Sequence, residues 1–441
     1  MSEYENPIEA TPDDNLDEER QAVAQPPTGG QPLILYDLAT LVGAVYQQRI
    51  TTTRQERVAK RIADLLHPHL RGLPRFDERQ ADTYVDMLFH AAERLGLINL
   101  ISPFYDGEQK SYYRPSMESG LEKWSQLHDH EQARAFLAEW KRSMAWRDVW
   151  SAGILQWDVH DWNPLAARGL LLDLLSPNLY KPEQWYLVSP LIEAIWRRDP
   201  FCLRPARRKE RKRTQGSPYQ LRASWDRCER MVYLGILSST LSELGIVSLA
   251  SHPADYTTGP HSQPTRMKLT TFGAQVLSQE QTPIADRNTG RNTVVQPSFE
   301  VILLPFHPPI LYRLLPFAEV KLIEQASRLN LTRNSILRGL EAGLSTDEMI
   351  NILNGSSKKA VPKNVIRTIQ DWAKTYRAAK TTEVLLIEVS SEKVADELCS
   401  SSRWLIYDIE RIAPRRLLAH KVYDSLECRR LLKKAGIVIL D

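Results

Sequence analysis

The chain alternates between stretches of helical period and short stretches of strand period, and this order repeats. In "LILYDLATLVGAVYQQ", Leu35, Leu38, Leu41, Val42 and Val45 recur at helical spacing, which predicts a helix with one buried face. "ITTTRQERVAKRIADLL" predicts a second helix, capped by Thr52 or Thr53, with Val58, Ile62, Leu65 and Leu66 inward. A third helix starts at Asp77, turns Tyr84, Leu88, Ala91 and Leu95 inward, and meets a C-capping glycine at Gly96. "LINLIS" and "SYYRPS", joined by "YDGEQK", then read as a β-hairpin, and "HDHEQARAFLAEWKRS" adds a helix.

The same order returns further on. "NPLAARGLLLDLLS" and "KPEQWYLVSPLIEAIWRRD" predict two helices. "SWDRCERMVYLGILSSTLSELGIVSLA" predicts a third, broken near Gly235 and running into a strand. "TRMKLTTFGAQVLS" adds a strand, a threonine cap and a short helix. The turns "ERLGLINLIS" and "SELGIVSLAS" match, each with a glycine free to take positive φ between helix and strand. Three helices and a hairpin, twice, give two tandem winged helix-turn-helix-like units at 31–145 and 146–277. A leader at 1–30, expected to be disordered, precedes them, and a polar linker at 278–292 follows.

The third block, 293–441, opens on "VVQPSFEVILLP", a strand that alternates and then runs apolar. A proline-opened helix "PPILYRLLPFA" and a second strand through Val320, Leu322 and Ile323 come next. Three short helices have clear starts: Thr332 caps "RNSILRGLEAG", "STDE" is a capping box before "MINILN", and Pro362 opens "KNVIRTIQDWAKTY". A strand "EVLLIEV", a helix "SEKVADELC", the strand-like "WLIYDI" and a helix "DSLECRRLLKKAG" end the block. The fold class expected is α+β.

"VVQPSFEVILLP", "LLPFAEVKL", "LNLTRNSILRGLEAGLSTDEMINILN" and "VPKNVIRTIQDWAKTY" together resemble the N-terminal, damage-recognition-like domain of the XPB family of DNA helicases, over roughly residues 293–440. The resemblance implies an α/β domain that touches distorted or opened DNA or docks onto a partner. In that family the domain precedes an ATPase motor. Here no GxxxxGK[ST] loop and no DExH box is found, so no ATPase residue carries over and no catalytic residue is assigned.

Charge narrows the partner. The net charge is +3, but residues 1–20 carry eight acids and one base, a net of −7, which leaves +10 on the rest. Such a surplus suits a polyanion. The densest run is "RPARRKERKR", in which Arg204, Arg207, Arg208, Lys209, Arg211, Lys212 and Arg213 are basic. Arginine and lysine neutralise phosphates without reading sequence, so this loop is a candidate DNA contact, set against a plain solvated loop. The helix after it offers Arg222, Arg227 and Arg230, with Trp225 read as core before base-stacking. In the third block Arg333, Asn334 and Arg338 are expected outward, with Lys358, Lys359, Lys363, Asn364 and Arg367 at the next helix start. Lysine opposes the dipole there, and a bound phosphate relieves that conflict. Arg54, Arg57, Lys60 and Arg61 read as the solvated side of the second helix before a DNA contact.

Other chemistries find little support. Cys202, Cys228, Cys399 and Cys428 are scattered, and the pairs His67/His69 and His128/His130 have no further ligand at metal spacing. The sequence shows no membrane span, no signal peptide and no nuclease carboxylate cluster. No cofactor is expected. The location expected is cytoplasmic, or nucleoid-associated if bacterial. The reading is a non-enzymatic DNA-binding accessory or regulator in repair or transcription. It would contact duplex or forked DNA, with a helicase or nuclease acting in trans. A protein-docking scaffold is the alternative.

Overall fold

A computed structural model describes residues 28–48, 50–53, 58–72, 78–101, 111–116, 119–143, 162–205, 218–250, 264–278, 291–377, 385–400 and 409–419. The acidic leader, nearly all of the linker 278–292 and the last predicted helix lie outside them, as does most of "WLIYDI". The chain divides into two compact units, Met1–Tyr376 and Arg377–Asp441. Helices stand beside small antiparallel sheets throughout, so the class is α+β.

Helix α1 (Leu33–Gln47) is the axis of the first unit. One buried face was expected, but twelve of its fifteen residues are buried. The reason is its neighbours: it packs against α3 (Glu78–Arg94), α5 (Asp129–Arg142), β4 (Tyr112–Pro115) and β10 (Glu319–Leu322). At Gly43 a Cβ would lie 2.6 Å from Val320 Cγ2, so the missing side chain admits β10. Asp37, fully buried on α1, accepts from Arg71 N (2.7 Å), Gly72 N (3.0 Å) and Tyr84 Oη (2.6 Å). Burial outweighs those donors and pushes its carboxyl up to about 6.

The second predicted helix is shorter than its pattern. Helix α2 spans Lys60–Leu66, and its N-cap is Ala59, with no side-chain cap. Thr52 is not a cap but bridges Val58 in an antiparallel pair, and Leu65 is 53% exposed. In the hairpin, β3 (Ile98–Ile101) pairs with β4, and β2 (Ile50–Thr51) pairs with β4 on the other side. Short helix α4 (Ser119–Gln126) follows.

Around residues 164–277 run α6 (Pro164–Leu174), β5 (Trp185–Leu187), α7 (Val188–Arg198), α8 (Pro218–Arg227) and α9 (Glu229–Ile236). Strands β6 (Val247–Ala250) and β7 (Arg266–Leu269) and helix α10 (Thr271–Leu277) follow. "WYL" is therefore a strand and not the start of a helix; it pairs with β7, while β6 joins β1 (Thr28–Gly29). The long third helix breaks at Cys228, then continues through one π-helical turn at Leu237–Leu241. Gly96 (φ +70°) and Gly245 (φ +78°) both take the left-handed conformation that the matching turns implied. Thr270 caps α10 by accepting from Gly273 N at 2.7 Å.

Two predicted strands are hairpins. "VVQPSFEVILLP" forms β8 (Thr293–Val295) and β9 (Glu300–Leu303), turning at Pro297–Ser298. "EVKLIEQASRLN" forms β10 and β11 (Ser327–Asn330), and the sheet order is β10-β11-β9-β8. The helices of this block are α11 (Pro308–Leu314), α12 (Arg333–Glu341), α13 (Thr346–Ser356) and α14 (Lys363–Lys374), and α13 packs on β8. One apolar cluster runs from Leu33 to Ile369, so residues from all three sequence blocks share a core. The second unit has β12 (Leu385–Glu388), α15 (Glu392–Ser400), β13 (Ile409–Ala413) and β14 (Arg416–Ala419). Its core is Ile387, Val389, Ala395, Leu398, Leu417 and Ala419.

Candidate nucleic-acid interface

The cations of the third block gather because two helices and a tight connection hold them. Thr332 and Ser335 bond reciprocally at the start of α12, and Ser345 with Glu348 does the same for α13. The connection after α13 is pinned to β8: Lys358 N donates to Thr293 O at 2.8 Å, and Ser357 bridges Thr293. Lys358 Nζ reaches Leu304 O at 3.2 Å, while Lys359 stays exposed beside it.

Helix α14 buries Val365 and Ile369 against α12 and α13. That orientation leaves Lys363, Arg367, Gln370 and Lys374 exposed at positions i, i+4, i+7 and i+11, one stripe along the outer side. Lys374 is partly answered by Asp371 at 2.8 Å. The helix starts at Pro362 with no capping side chain and no acid in its first turn. Free N–H groups and cations thus coincide, an arrangement that favours an anion. Asn364 Nδ2 donates to Pro297 O (3.0 Å), and Phe299 packs on Trp372 at 5.5 Å, so the β8–β9 turn braces the same helix. Arg333 and Asn334 are exposed at the start of α12, with Arg333 Nη2 donating to Thr375 Oγ1 at 3.2 Å.

Three arginines expected at the surface are engaged within the fold. Arg204 is 9% exposed: its Nε donates to Glu229 Oε1 (2.7 Å) and its Nη2 to Oε2 (2.5 Å), and Glu229 is 1% exposed. Arg222 forks onto Glu193, bonds Asp226 and lies over the rings of Trp196 and Trp225. Trp225 is core, at 2% exposure. Arg338 is half-buried, donating to Pro316 O (3.2 Å) and Ala318 O (3.1 Å), and desolvation lowers its pKa. Arg227 is exposed and Arg230 half-buried. Arg207, Arg208, Lys209, Arg211, Lys212 and Arg213 lie outside the described residues. Lys60 and Arg61 are exposed, whereas Arg54 and Arg57 are outside the described residues.

His128 lies 6.2 Å from His130 and 5.5 Å from His307, ring centre to ring centre. Among the described residues no group of His, Cys, Asp and Glu is placed to hold a metal ion.

A groove that sequence reading missed opens where the first block meets the third. A hollow of about 830 Å³ is lined by Tyr46, Arg114, Arg313, Arg338, Leu344 and Ile352, among others. A second, of about 450 Å³, adjoins it and shares Tyr46, Arg114, Arg338 and Glu341. Arg114 and Arg313 are exposed, and burial raises the Tyr46 hydroxyl to about 12. "YYRP" carries the only local hint, basic and aromatic together.

With this geometry in view, comparison with known families gives one result. A family model described as helicase conserved C-terminal domain matches residues 293–413. The chain is thereby related to helicases over that segment, and an association with nucleic acid follows at that level. The match starts at the first residue of β8 and ends in β13, so it takes in the whole cation-bearing face. No curated protein matches the chain. Among the described residues no helix is long and apolar enough to cross a membrane.

Proposed function

We propose that the protein is a non-catalytic nucleic-acid-binding accessory, holding duplex or partly opened DNA for a helicase or nuclease that acts in trans. The observation that carries this reading is the coincidence of the helicase-related segment, 293–413, with the exposed cations Lys358, Lys359, Lys363 and Arg367. In this reading the segment is a counterpart of the XPB N-terminal domain. The two earlier blocks, each turning from a helix through a left-handed glycine into antiparallel strands, are winged-helix-like. Phosphate contact by lysine and arginine supplies affinity without sequence preference. The absence of a phosphate loop and of a DExH box in the sequence supports a part without its own motor.

The test is fluorescence anisotropy of labelled duplex and forked DNA between about 50 and 200 mM salt. Replacing Lys358, Lys359, Lys363 and Arg367 with alanine removes four contacts. The slope of log affinity against log salt should therefore shrink by roughly 3.6, at about 0.9 per contact. An unchanged slope refutes the assignment of this face.

One observation favours the scaffold reading for the second block alone. Arg204 and Arg222 are committed to Glu229 and Glu193, so these two cations are engaged within that block. If it docks protein, reversing the charge of its exposed Arg227 lowers partner capture and leaves the salt slope intact.

A further inference from the structure

We infer that the groove between β4 and α12 is a track for single-stranded nucleic acid, distinct from the α14 face; this rests on the nucleic-acid reading above. Four observations carry it: the two adjoining hollows, two exposed arginines, two half-buried tyrosines, and a set of amides.

The walls come from distant parts of the chain. Helix α12 offers one side through Asn334, Arg338, Glu341 and Ala342, which share a helix face at i, i+4, i+7 and i+8. The end of α1 and strand β4 form the other side, with Tyr46, Gln48, Tyr112 and Arg114. Arg313, from α11, closes the far end with Pro316 and Asn351. Hollows of several hundred Å³ accept ligand portions of roughly 300–1,000 Å³. That suits bases entering one by one and does not suit a duplex.

The chemistry fits a polyanion with flat groups attached. Arg114 and Arg313 are exposed and both line the larger hollow, so two cations are offered to a phosphate backbone there. Arg338 is held in place by the carbonyls of Pro316 and Ala318, so its charge is positioned before any ligand arrives. The two carboxylates of the groove are partly answered. Glu341 lies in the field of Arg338, and Glu348 accepts from Ser345 N (2.7 Å) and Ser345 Oγ (2.8 Å). Tyr46 and Tyr112 are half-buried and line the smaller hollow. Aromatic rings in a basic groove stack any base, which gives affinity without sequence preference. Gln48, Asn334 and Asn351 both donate and accept, as base edges require. An acidic peptide would use the arginines but would leave the tyrosines and most amides without a role. The track also lies beside α12, whose first turn presents Arg333 and Asn334 on the helicase-related segment.

The experiment uses the full-length protein and two labelled probes, an oligothymidylate of about 15 nucleotides and a duplex of equal length. Arg114→Ala with Arg313→Ala should weaken oligothymidylate binding about tenfold or more. The salt slope should fall by roughly 1.4, at about 0.7 per contact on a single strand. Duplex affinity should change less than about threefold. Tyr112→Ala should weaken oligothymidylate roughly tenfold with the slope unchanged, since stacking releases no counterions. Photocrosslinking of a 5-iodouracil oligonucleotide to the unmodified protein should label peptides containing Tyr46 or Tyr112, and it needs no variant to fold. If duplex binding is salt-dependent but the groove variants leave oligothymidylate binding intact, this inference alone falls. Absence of binding to either probe at low salt overturns the nucleic-acid reading and this one with it. Tighter binding of an oligoglutamate peptide than of oligothymidylate, lost in the same double variant, overturns it in favour of a peptide site.

Discussion

Removing Arg204 should damage the fold and leave DNA affinity alone, the opposite of what its place in a basic run suggests. Both oxygens of Glu229 accept from its guanidinium, at 2.7 and 2.5 Å, and side-chain exposure is 11% for the arginine and 1% for the acid. Arg204→Ala strands that carboxylate in the interior, without its guanidinium. Losing one partner of a buried pair costs about 3–5 kcal/mol. Total stability for a domain is about 5–15 kcal/mol, so about a fifth of it or more is at stake. The pair as a unit contributes far less, because desolvation offsets most of the attraction. Arg204→Met combined with Glu229→Leu, which leaves no lone charge, should therefore recover most of the loss. The assay is urea unfolding followed by far-ultraviolet circular dichroism, with duplex anisotropy at about 50 mM salt on the same samples. If Arg204→Ala unfolds at the parent midpoint while duplex affinity drops tenfold, the ion-pair argument is wrong and Arg204 is a phosphate contact.

Two further predictions concern stability. The Asp37 carboxyl is raised from 3.8 to about 6 by burial, so the fold favours its protonated form. Its contribution is fully present below about pH 3.8, is lost as pH rises through about 6, and is worth about 3 kcal/mol. Urea midpoints between pH 4 and 7 should show that loss in the parent relative to Asp37→Asn, and parallel curves would refute it. Gly245→Ala should lower stability by at least about 1–2 kcal/mol, because a side chain there meets the left-handed penalty. Its Cβ would also lie 2.9 Å from Gln31 C. Gly355→Ala, where nothing lies within 4 Å, serves as the control and should not destabilise; equal melting shifts for both would refute the argument.

Features written in neighbouring residues were legible in the sequence. The caps at Thr332 and Ser345–Glu348 depend on contacts three positions apart, and the glycines at 96 and 245 on one backbone angle each. Strand length was less legible, since a period of two does not mark where a chain reverses. The turn at Pro297–Ser298 and the turn between Leu322 and Ser327 were both absorbed into single strands. The basic run misled at its first residue because Arg204 answers an acid twenty-five positions away. Local composition carries no trace of such a partner. The groove was least visible of all, because Arg114 and Arg313 meet only once α1 and β4 pack near α11 and α12.

The close approach at Gly43 also sets a timetable. Helix α1 leaves the ribosome long before β10, whose Val320 lies about 280 residues further along. At about 5–20 residues per second, that interval is roughly a quarter of a minute to a minute. Throughout it, the side of α1 that will meet Val320 and Leu315 has no native covering, while α3 and α5, synthesised well before β10, come to shelter the rest. The nascent chain therefore passes through a long period with a half-clothed central helix, and holding chaperones have a defined surface to recognise until the helicase-related segment arrives.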